Sequence, residues 1–216
     1  MRVVAIDGPA GAGKSTIAKA LALRLGVPYL DTGAMYRAVT YAVLRDNLDP
    51  SEHAAIGGLA RRIVLTMANG RVEVDGVDVT DTIRGPEVTS AVSIVAAISE
   101  VRQVLREQQR EWVRQHGGGV IEGRDIGTVV FPDATLKVYL TASPEVRAQR
   151  RVAEVGGDVV AIAKSIAERD RLDSTRADSP LFAAPDSAWV DTSDLDIDQV
   201  VSVLYEKILA IEDSNG

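Results

Sequence analysis

The chain has 216 residues, of which 46% are hydrophobic and 25% are charged, and this is enough to bury the core of one compact domain. Its net charge of −7 argues against sequence-independent nucleic-acid binding, and its short apolar runs exclude a membrane-spanning helix. The absence of cysteine excludes disulfides and zinc–thiolate sites. Because a predicted strand begins at Arg2, we expect no signal peptide, and these features together predict a cytoplasmic protein.

The first elements of the chain form a strand, a glycine-rich loop, a helix and a second strand. Residues 2–6 are a short apolar run typical of a buried strand, and residues 16–25 carry apolar side chains at helical spacing. Gly26 is a natural end for that helix, and residues 27–30 favour a strand again. This order is a βαβ unit, which predicts a parallel sheet.

The rest of the chain continues the alternation of strands and helices. Further strands are predicted over residues 120–121, 136–140 and 188–191. Further helices are predicted over residues 33–44, 87–97, 100–115, 144–153, 162–171 and 197–211.

One stretch, residues 63–80, departs from this rhythm. It contains three short segments rich in β-branched residues, 63–67, 71–75 and 77–80. The breaks between these runs are Asn69-Gly70 and Asp75-Gly76, which are the strongest short signals for a hairpin turn. The stretch therefore predicts a small antiparallel meander inserted into a parallel α/β core.

The glycine-rich loop, Gly8-Pro-Ala-Gly-Ala-Gly-Lys-Ser15, matches the pattern GxxxxGK[ST] between the predicted strand and helix. Glycines let backbone N–H groups surround a phosphate, and the positive end of the following helix adds anion affinity. Lys14 would reach the β- and γ-phosphates of ATP, and the Ser15 hydroxyl would ligate Mg²⁺. The alternative, a glycine turn with an incidental lysine, is disfavoured because strand, loop and helix agree. The predicted nucleotide-binding residues are Gly8, Pro9, Ala10, Gly11, Ala12, Gly13, Lys14, Ser15 and Thr16.

Other motifs favour a small-molecule kinase among P-loop proteins. The chain lacks the [NT]KxD motif of a GTPase, and its segment 119–125 does not end in the adjacent acidic residues of motor ATPases. A second motif, Asp31-Thr-Gly-Ala-Met-Tyr-Arg37, follows the second strand, where open α/β sheets place ligands. The alternative outside the enzymes is a regulatory module that binds ATP without turnover. A second phosphate-binding motif speaks against it, because a sensor needs only one.

The chain contains four motifs. In chain order they are Ile6-Asp-Gly-Pro-Ala-Gly-Ala-Gly-Lys-Ser15, Asp31-Thr-Gly-Ala-Met-Tyr-Arg37, Glu122-Gly-Arg-Asp-Ile-Gly-Thr-Val-Val-Phe-Pro-Asp133 and Arg169-Asp-Arg-Leu-Asp-Ser-Thr-Arg176. Together they resemble the bacterial type of cytidylate kinase within the nucleoside monophosphate kinases, and the resemblance covers nearly the whole chain. An adenylate kinase would instead show DG[FY]PR at residues 122–125. A related P-loop kinase with another acceptor remains open.

The resemblance implies an α/β fold of the P-loop NTPase class, a three-layer core with a parallel central sheet, an inserted small antiparallel subdomain and a mobile helical lid. It places the core at residues 1–48 and 86–216, the monophosphate-binding insert at 49–85 and the lid at 147–165. It also implies transfer of the γ-phosphoryl group of ATP to CMP or dCMP with Mg²⁺, in pyrimidine nucleotide metabolism. We expect a monomer with no nucleic-acid or membrane partner.

The same resemblance assigns roles to the acceptor-binding residues. Thr32, Arg37 and Arg124 would hold the acceptor phosphate. Ser93, Arg102 and Asp125 would read cytosine, because arginine serves its ring acceptors and Ser or Asp accepts from its amine. UMP presents a carbonyl in place of that amine, so Asp125 would disfavour it. For Ser93 the alternative is a helical serine that bonds its own backbone.

Arg169, Asp173 and Arg176 match the ribose-contacting segment of the family and share one helical face. The alternative is an Arg–Asp pair on a solvated surface. For Arg37 the alternative is likewise a surface ion pair.

Three further arginines, Arg147, Arg150 and Arg151, share a helical face and resemble the start of the lid. Like charges at this spacing repel unless an anion lies among them, although a solvated charged face is the alternative. Gly156-Gly157 offers a hinge for closure, which would exclude water. The predicted catalytic residues are Lys14, Arg124, Arg147 and Arg151.

Phosphoryl transfer between two phosphates needs no general base, since the attacking oxygen is already an anion. His53 and His116 are therefore expected to be solvated loop or helix-end residues. Trp112 and Trp189 are expected to pack in the core.

Overall fold

The computed structural model describes residues 1–68 and 70–215. Its strands are β1 (Arg2–Asp7), β2 (Tyr29–Asp31), β3 (Leu65–Ala68), β4 (Arg71–Val74), β5 (Val77–Asp78), β6 (Gly118–Gly123), β7 (Leu136–Thr141) and β8 (Ala188–Asp191). Its helices are α1 (Lys14–Leu25), α2 (Thr32–Arg45), α3 (His53–Arg62), α4 (Pro86–Ala96), α5 (Ser99–His116), α6 (Pro144–Val155), α7 (Val159–Thr175) and α8 (Ile197–Asn215). The chain divides into two compact units, unit 1 with Met1–Asp31 and Trp112–Gly216, and unit 2 with Thr32–Glu111.

Unit 1 is built on a parallel sheet with the strand order β2-β6-β1-β7-β8, which confirms the predicted parallel α/β core. The central strand β1 is apolar and fully buried beyond its first residue. On one face of the sheet, α1 and α8 bury an aliphatic core that includes Ile6, Leu21 and Leu204. Because all five strands run the same way, their carboxyl ends lie at one edge of the sheet, and β1 delivers the glycine-rich loop there.

Unit 2 contains the predicted antiparallel meander, which forms a sheet in the order β3-β4-β5. Asp75 and Gly76 join β4 to β5 with φ values of 54° and 79°, as a type I′ turn requires. The other predicted turn is Asn69-Gly70, and Asn69 lies outside the described residues. The predicted insert 49–85 falls within unit 2, which begins before it at Thr32 and ends after it at Glu111.

One helix was missing from the sequence prediction. Residues 53–62 include Gly57 and Gly58, and glycine costs about 1 kcal/mol relative to alanine in a helix. The structure nevertheless forms α3 there and buries Ile56 and Leu59. A Cβ at Gly57 would lie 2.5 Å from the Cβ of Glu100 on α5. The glycine therefore permits close helix packing, and this tertiary contact outweighs its low helix propensity.

Two other segments differ from prediction. Residues 126–130, assigned to no element, form a π-helical turn in which the Asp125 carbonyl oxygen accepts from the amides of Val129 and Val130. Helix α7 begins at Val159 and ends at Thr175, so it is longer at both ends than the predicted 162–171. The Asp158 side chain accepts from the Ala161 amide at 2.8 Å and caps the helix at its earlier start.

The tryptophans do not share the predicted role. Trp189 is 66% exposed, so the prediction of core packing is wrong for it, and its ring lies against Tyr139 with centroids 4.7 Å apart. Trp189 lies on β8, the edge strand of the sheet, where it alternates with buried Val190. Trp112 is half-buried and stacks on His116. Both histidines are exposed and lie at helix ends, as expected.

Membrane-spanning potential is low in the helices described. None of them is individually long and apolar enough to cross a bilayer. Helices α4 and α5 meet the length and hydropathy criteria only when joined, and they are bent by 97° at their junction.

Candidate active site

The glycine-rich loop leaves the central strand at Gly8 and enters α1 at Lys14. Gly8 has φ +150°, and a Cβ there would overlap the carbonyl oxygen of Leu140 on the neighbouring strand β7. The loop can therefore start only at a glycine. Lys14 is 7% exposed, and its Nζ donates to the Pro9 carbonyl oxygen at 2.7 Å, so its side chain curls back over the loop.

The charge on Lys14 is poorly compensated within unit 1. Burial lowers the pKa of Lys14 from its usual value, and the nearby cations Arg124 and Arg169 lower it further. Glu122 and Asp7 oppose this effect without cancelling it. A buried ammonium among guanidinium groups is most stable when an anion binds beside it. The loop thus has the electrostatics of a phosphate-binding site.

Ser15 lies beside an acidic cluster that the sequence analysis did not single out. Its hydroxyl hydrogen-bonds with the side chains of Tyr29 and Glu122, and the Tyr29 hydroxyl also donates to Glu122. Burial and the neighbouring Asp31 raise the pKa of Glu122. In the structure Glu122 pairs in register with Ile6 and Asp31 of the two adjoining strands, whereas the sequence showed it only as the first residue of the motif 122–133.

Oxygen ligands of this kind suit Mg²⁺, which usually takes one or two protein groups and completes its shell with water and phosphate. No group of three His, Cys, Asp or Glu side chains able to hold a metal lies within the described part of the chain. Ser15 at the start of α1 therefore fits an ion held together with a nucleotide phosphate, and Glu122 lies within hydrogen-bonding reach of that hydroxyl.

Asp7 fixes the loop to the segment that carries Arg124 and Asp125. Its carboxylate accepts from the amides of Ile126 at 2.9 Å and Gly127 at 2.7 Å. Burial raises the pKa of Asp7 to about 6, although these two hydrogen bonds oppose the rise. Sequence reasoning missed this role, because nothing local to Asp7 shows that residues 126–127 fold over it.

A network of ion pairs joins most of the acceptor-binding residues predicted in unit 1. Arg124 Nε donates to Asp173 Oδ2 at 2.9 Å. Arg176 lies 3.8 Å from Asp173 and 3.6 Å from Asp125. Burial alone would raise the pKa of Asp173, but Arg124, Arg169 and Arg176 together lower it. Asp173 is 5% exposed, so the alternative of a solvated Arg–Asp pair is wrong for this residue.

The three arginines of α6 have separate partners. Arg147 pairs with Asp170, and Arg150 donates to the hydroxyl and carbonyl oxygens of Thr192 at 2.9 and 2.7 Å. Arg151 pairs at 2.9 Å with Glu154, an exposed residue on the same helix. The structure thus places Arg147 at the glycine-rich loop, since it also donates to the Ala10 carbonyl oxygen, whereas Arg151 has a surface partner.

Unit 2 holds the remaining predicted residues. Thr32 is buried at the start of α2, and Ser93 is half-buried on α4. Arg37 is 9% exposed and donates to the Ile83 carbonyl oxygen and the Thr89 hydroxyl, so the surface ion pair is wrong for it. Arg102 is fully buried, donates to the Ala96 carbonyl oxygen at 3.0 Å and lies 5.2 Å from the Tyr36 ring.

A glycine-rich loop at the end of a central parallel strand, with a buried lysine and surrounding arginines, defines a P-loop kinase fold and site. Solved structures with this fold include a protein from Eubacterium ventriosum, with a TM-score of 0.57, 14% identity and coverage of 97% and 98% of the two chains. A gluconokinase from Sinorhizobium meliloti has a TM-score of 0.50 at 14% identity, with coverage of 99% and 94%. At these identities the likeness concerns the fold alone.

Sequence comparison identifies the family. The model of the family described as cytidylate kinase matches residues 4–210. A cytidylate kinase from Desulforamulus reducens is 50% identical, with 93% of this chain and 94% of the relative covered. One from Rhodococcus opacus is 49% identical, with 99% and 96% covered. The chain belongs to the cytidylate kinase family, as its four motifs predicted.

Proposed function

We propose that this protein transfers the γ-phosphoryl group of ATP to CMP and to dCMP, giving ADP and CDP or dCDP. The observation that carries the proposal is the buried Lys14 of the glycine-rich loop, which lies within the electrostatic reach of Arg124 and Arg169. Two anionic substrates must approach each other for this reaction, and such a cluster of cations offsets their repulsion. The remaining motifs of the cytidylate kinase family support CMP as the acceptor.

On the donor side, backbone amides of residues 8–16 and the Lys14 ammonium would bind the β- and γ-phosphates. Mg²⁺ would be held by Ser15 and would neutralise charge on the phosphates. Arg147 and Arg151 are assigned to the lid arginines, and closure of residues 147–165 would exclude water from the transfer. Of these two, Arg147 has the stronger structural support because it already contacts the loop.

On the acceptor side, Thr32, Arg37 and Arg124 are assigned to the phosphate of CMP. A buried arginine suits this role, because its fork of N–H groups matches phosphate oxygens bidentately. Arg169, Asp173 and Arg176 are assigned to the ribose, and the ion pair of Arg176 with Asp173, together with the charge of Arg169 nearby, supports an arrangement formed before substrate binds.

Base selection is assigned to Ser93, Arg102 and Asp125. Arg102 is fully buried and is held by the Ala96 carbonyl oxygen, so its guanidinium would present N–H groups to the ring acceptors of cytosine in a fixed orientation. Asp125 is 3% exposed, and a carboxylate accepts hydrogen bonds but donates none. It would therefore accept from the amine of cytosine and repel the carbonyl of uracil.

We place the reaction in pyrimidine nucleotide metabolism in the cytoplasm, and we propose that the protein acts as a monomer without nucleic-acid or membrane partners. The net charge of −7 and the helix composition support the last two points.

The test is coupled ADP release from MgATP with CMP, dCMP, UMP, AMP and GMP offered separately at equal concentration. Turnover with CMP and dCMP well above the others is expected. Turnover chiefly with UMP or AMP would leave the assignment as a P-loop kinase in place but would contradict the base-reading roles of Ser93, Arg102 and Asp125. MgATP binding without turnover on any acceptor would indicate a regulatory ATP-binding module instead.

A further inference from the structure

Asp170 on α7 contacts the glycine-rich loop directly, although it belongs to none of the residues assigned above. Its Oδ1 accepts from the backbone amide of Ala10 at 3.0 Å. Its Oδ2 accepts from Nη1 of Arg147, and the same Nη1 donates to the Ala10 carbonyl oxygen at 3.1 Å. One carboxylate and one guanidinium therefore hold both polar groups of a single loop residue.

The loop is also packed against α6 at this point. A Cβ at Gly11 would lie 3.0 Å from both the Cβ and the carbonyl oxygen of Arg147. The tip of the loop thus rests on the backbone of α6, while Asp170 secures it from α7. These contacts do not come from the strand or helix that flank the loop in sequence.

The pair is largely shielded from water. The side chains of Arg147 and Asp170 are 12% and 18% exposed. Hydrogen bonds between ionised groups in such surroundings are stronger than neutral ones, and they fix orientation when two partners are engaged. Nε of Arg147 is buried and has no hydrogen-bond partner among the described residues. In the contacts described, Asp170 and the Ala10 carbonyl oxygen therefore hold Arg147 by Nη1 alone.

We propose that Asp170 is a positioning residue for the donor side of the reaction, which sets the place of the loop at Ala10 and the orientation of Arg147 together. The inference rests on the proposed function for its kinetic consequence, but its structural part concerns MgATP binding alone. Asp170 touches neither substrate in this proposal, and it acts through the loop and through Arg147.

The first experiment measures MgATP and CMP affinity separately by titration calorimetry in the wild type, Asp170→Ala and Asp170→Asn. Alanine removes both interactions, so MgATP affinity is expected to fall about tenfold, as for the loss of a charge-assisted hydrogen bond. Asparagine keeps an acceptor for the Ala10 amide and should have a smaller effect. CMP affinity should fall clearly less, since Asp170 makes no hydrogen bond or ion pair with an assigned acceptor residue in the contacts described and acts on Arg124 only through its charge.

The matched control is Glu168→Gln, which removes an exposed carboxylate on the same helix that pairs only with Arg171 in the contacts described. It should leave both affinities unchanged. Equal losses of MgATP and CMP affinity in Asp170→Ala would overturn the proposal, because they would indicate general disruption of α7. Unchanged MgATP affinity would overturn it as well.

A double-variant cycle tests whether Asp170 acts through Arg147. If it does, Arg147→Ala with Asp170→Ala should lose clearly less kcat/KM for MgATP than the product of the two single losses, and only the part due to the Ala10 contact should remain additive. Multiplying losses would contradict the coupling, and a higher kcat in Asp170→Asn would show that Asp170 restrains Arg147 instead. The calorimetric comparison needs no turnover, so it distinguishes failure of this inference from failure of the CMP assignment.

Discussion

Lys14 is a buried lysine whose charged form is disfavoured, and this has a measurable consequence for nucleotide binding. Burial, Arg124 and Arg169 lower its pKa in the nucleotide-free protein below the usual 10.5. Phosphate groups beside it would favour the ammonium form and raise that pKa again. MgATP binding is therefore expected to take up a proton at pH ~8, where Asp7 with its pKa of about 6 is already ionised.

Titration calorimetry in buffers of different ionisation enthalpy measures this uptake directly. The control is Lys14→Ala, which should bind MgATP with little proton uptake and lose more than about a hundredfold in kcat. Proton release by the wild type, or activity of Lys14→Ala within about tenfold of wild type, would contradict the role given to Lys14.

Asp125 offers a second prediction at this scale, concerning specificity. In Asp125→Asn the side-chain amide can donate as well as accept, so the carbonyl of uracil is no longer opposed by a fixed negative charge. The ratio of kcat/KM for CMP to that for UMP should fall about tenfold or more. Steady-state kinetics with both nucleotides measure the ratio, and an unchanged value would remove Asp125 from base reading.

At the scale of elements, the start of the glycine-rich loop is limited by the approach of β1 to β7. Gly8→Ala would place a methyl group against the Leu140 carbonyl oxygen at a φ of +150° that alanine rarely adopts. We expect it to lower the free energy of unfolding by about 3 kcal/mol or more.

Gly26→Ala is the matched comparison for that loss. Gly26 also has a positive φ, +65°, but a Cβ there has nothing within 4 Å. Only the backbone cost of about 1 kcal/mol applies at this helix end. Urea denaturation of both variants separates the backbone cost from the cost of the clash with Leu140. Equal decreases in the free energy of unfolding would show that the contact with β7 is unimportant.

The sequence predicted those elements that are determined by the conformational preferences of neighbouring residues. The type I′ turn at Asp75-Gly76 was predictable because both residues tolerate positive φ. Helix α3 was not, because the packing of Gly57 against Glu100 is a tertiary contact between residues distant in sequence. The same distinction applies within the site, where the motif revealed Lys14 but not the contact of Asp170 with Ala10.

The whole molecule divides its predicted residues between two units. The nucleotide-binding loop and α7 lie in unit 1, whereas Arg37, Ser93 and Arg102 lie in unit 2. Hydrogen exchange should therefore distinguish the two ligands. MgATP alone should protect amides in residues 8–16, and CMP alone should protect segments of unit 2 near Arg37 and Arg102. Protection by CMP confined to unit 1 would argue against the acceptor roles of unit 2.

Trp189 gives the molecule an optical property of its own. The indole of Trp189 is exposed and lies against the Tyr139 ring. The charges of Asp170, Arg124 and Arg147 act electrostatically on Tyr139. The wavelength and intensity of indole fluorescence depend on the charges and on the solvent near the ring. A Trp112→Phe protein would emit from this single position, so the arrival of a nucleotide beside those charges could be followed in real time without an attached dye.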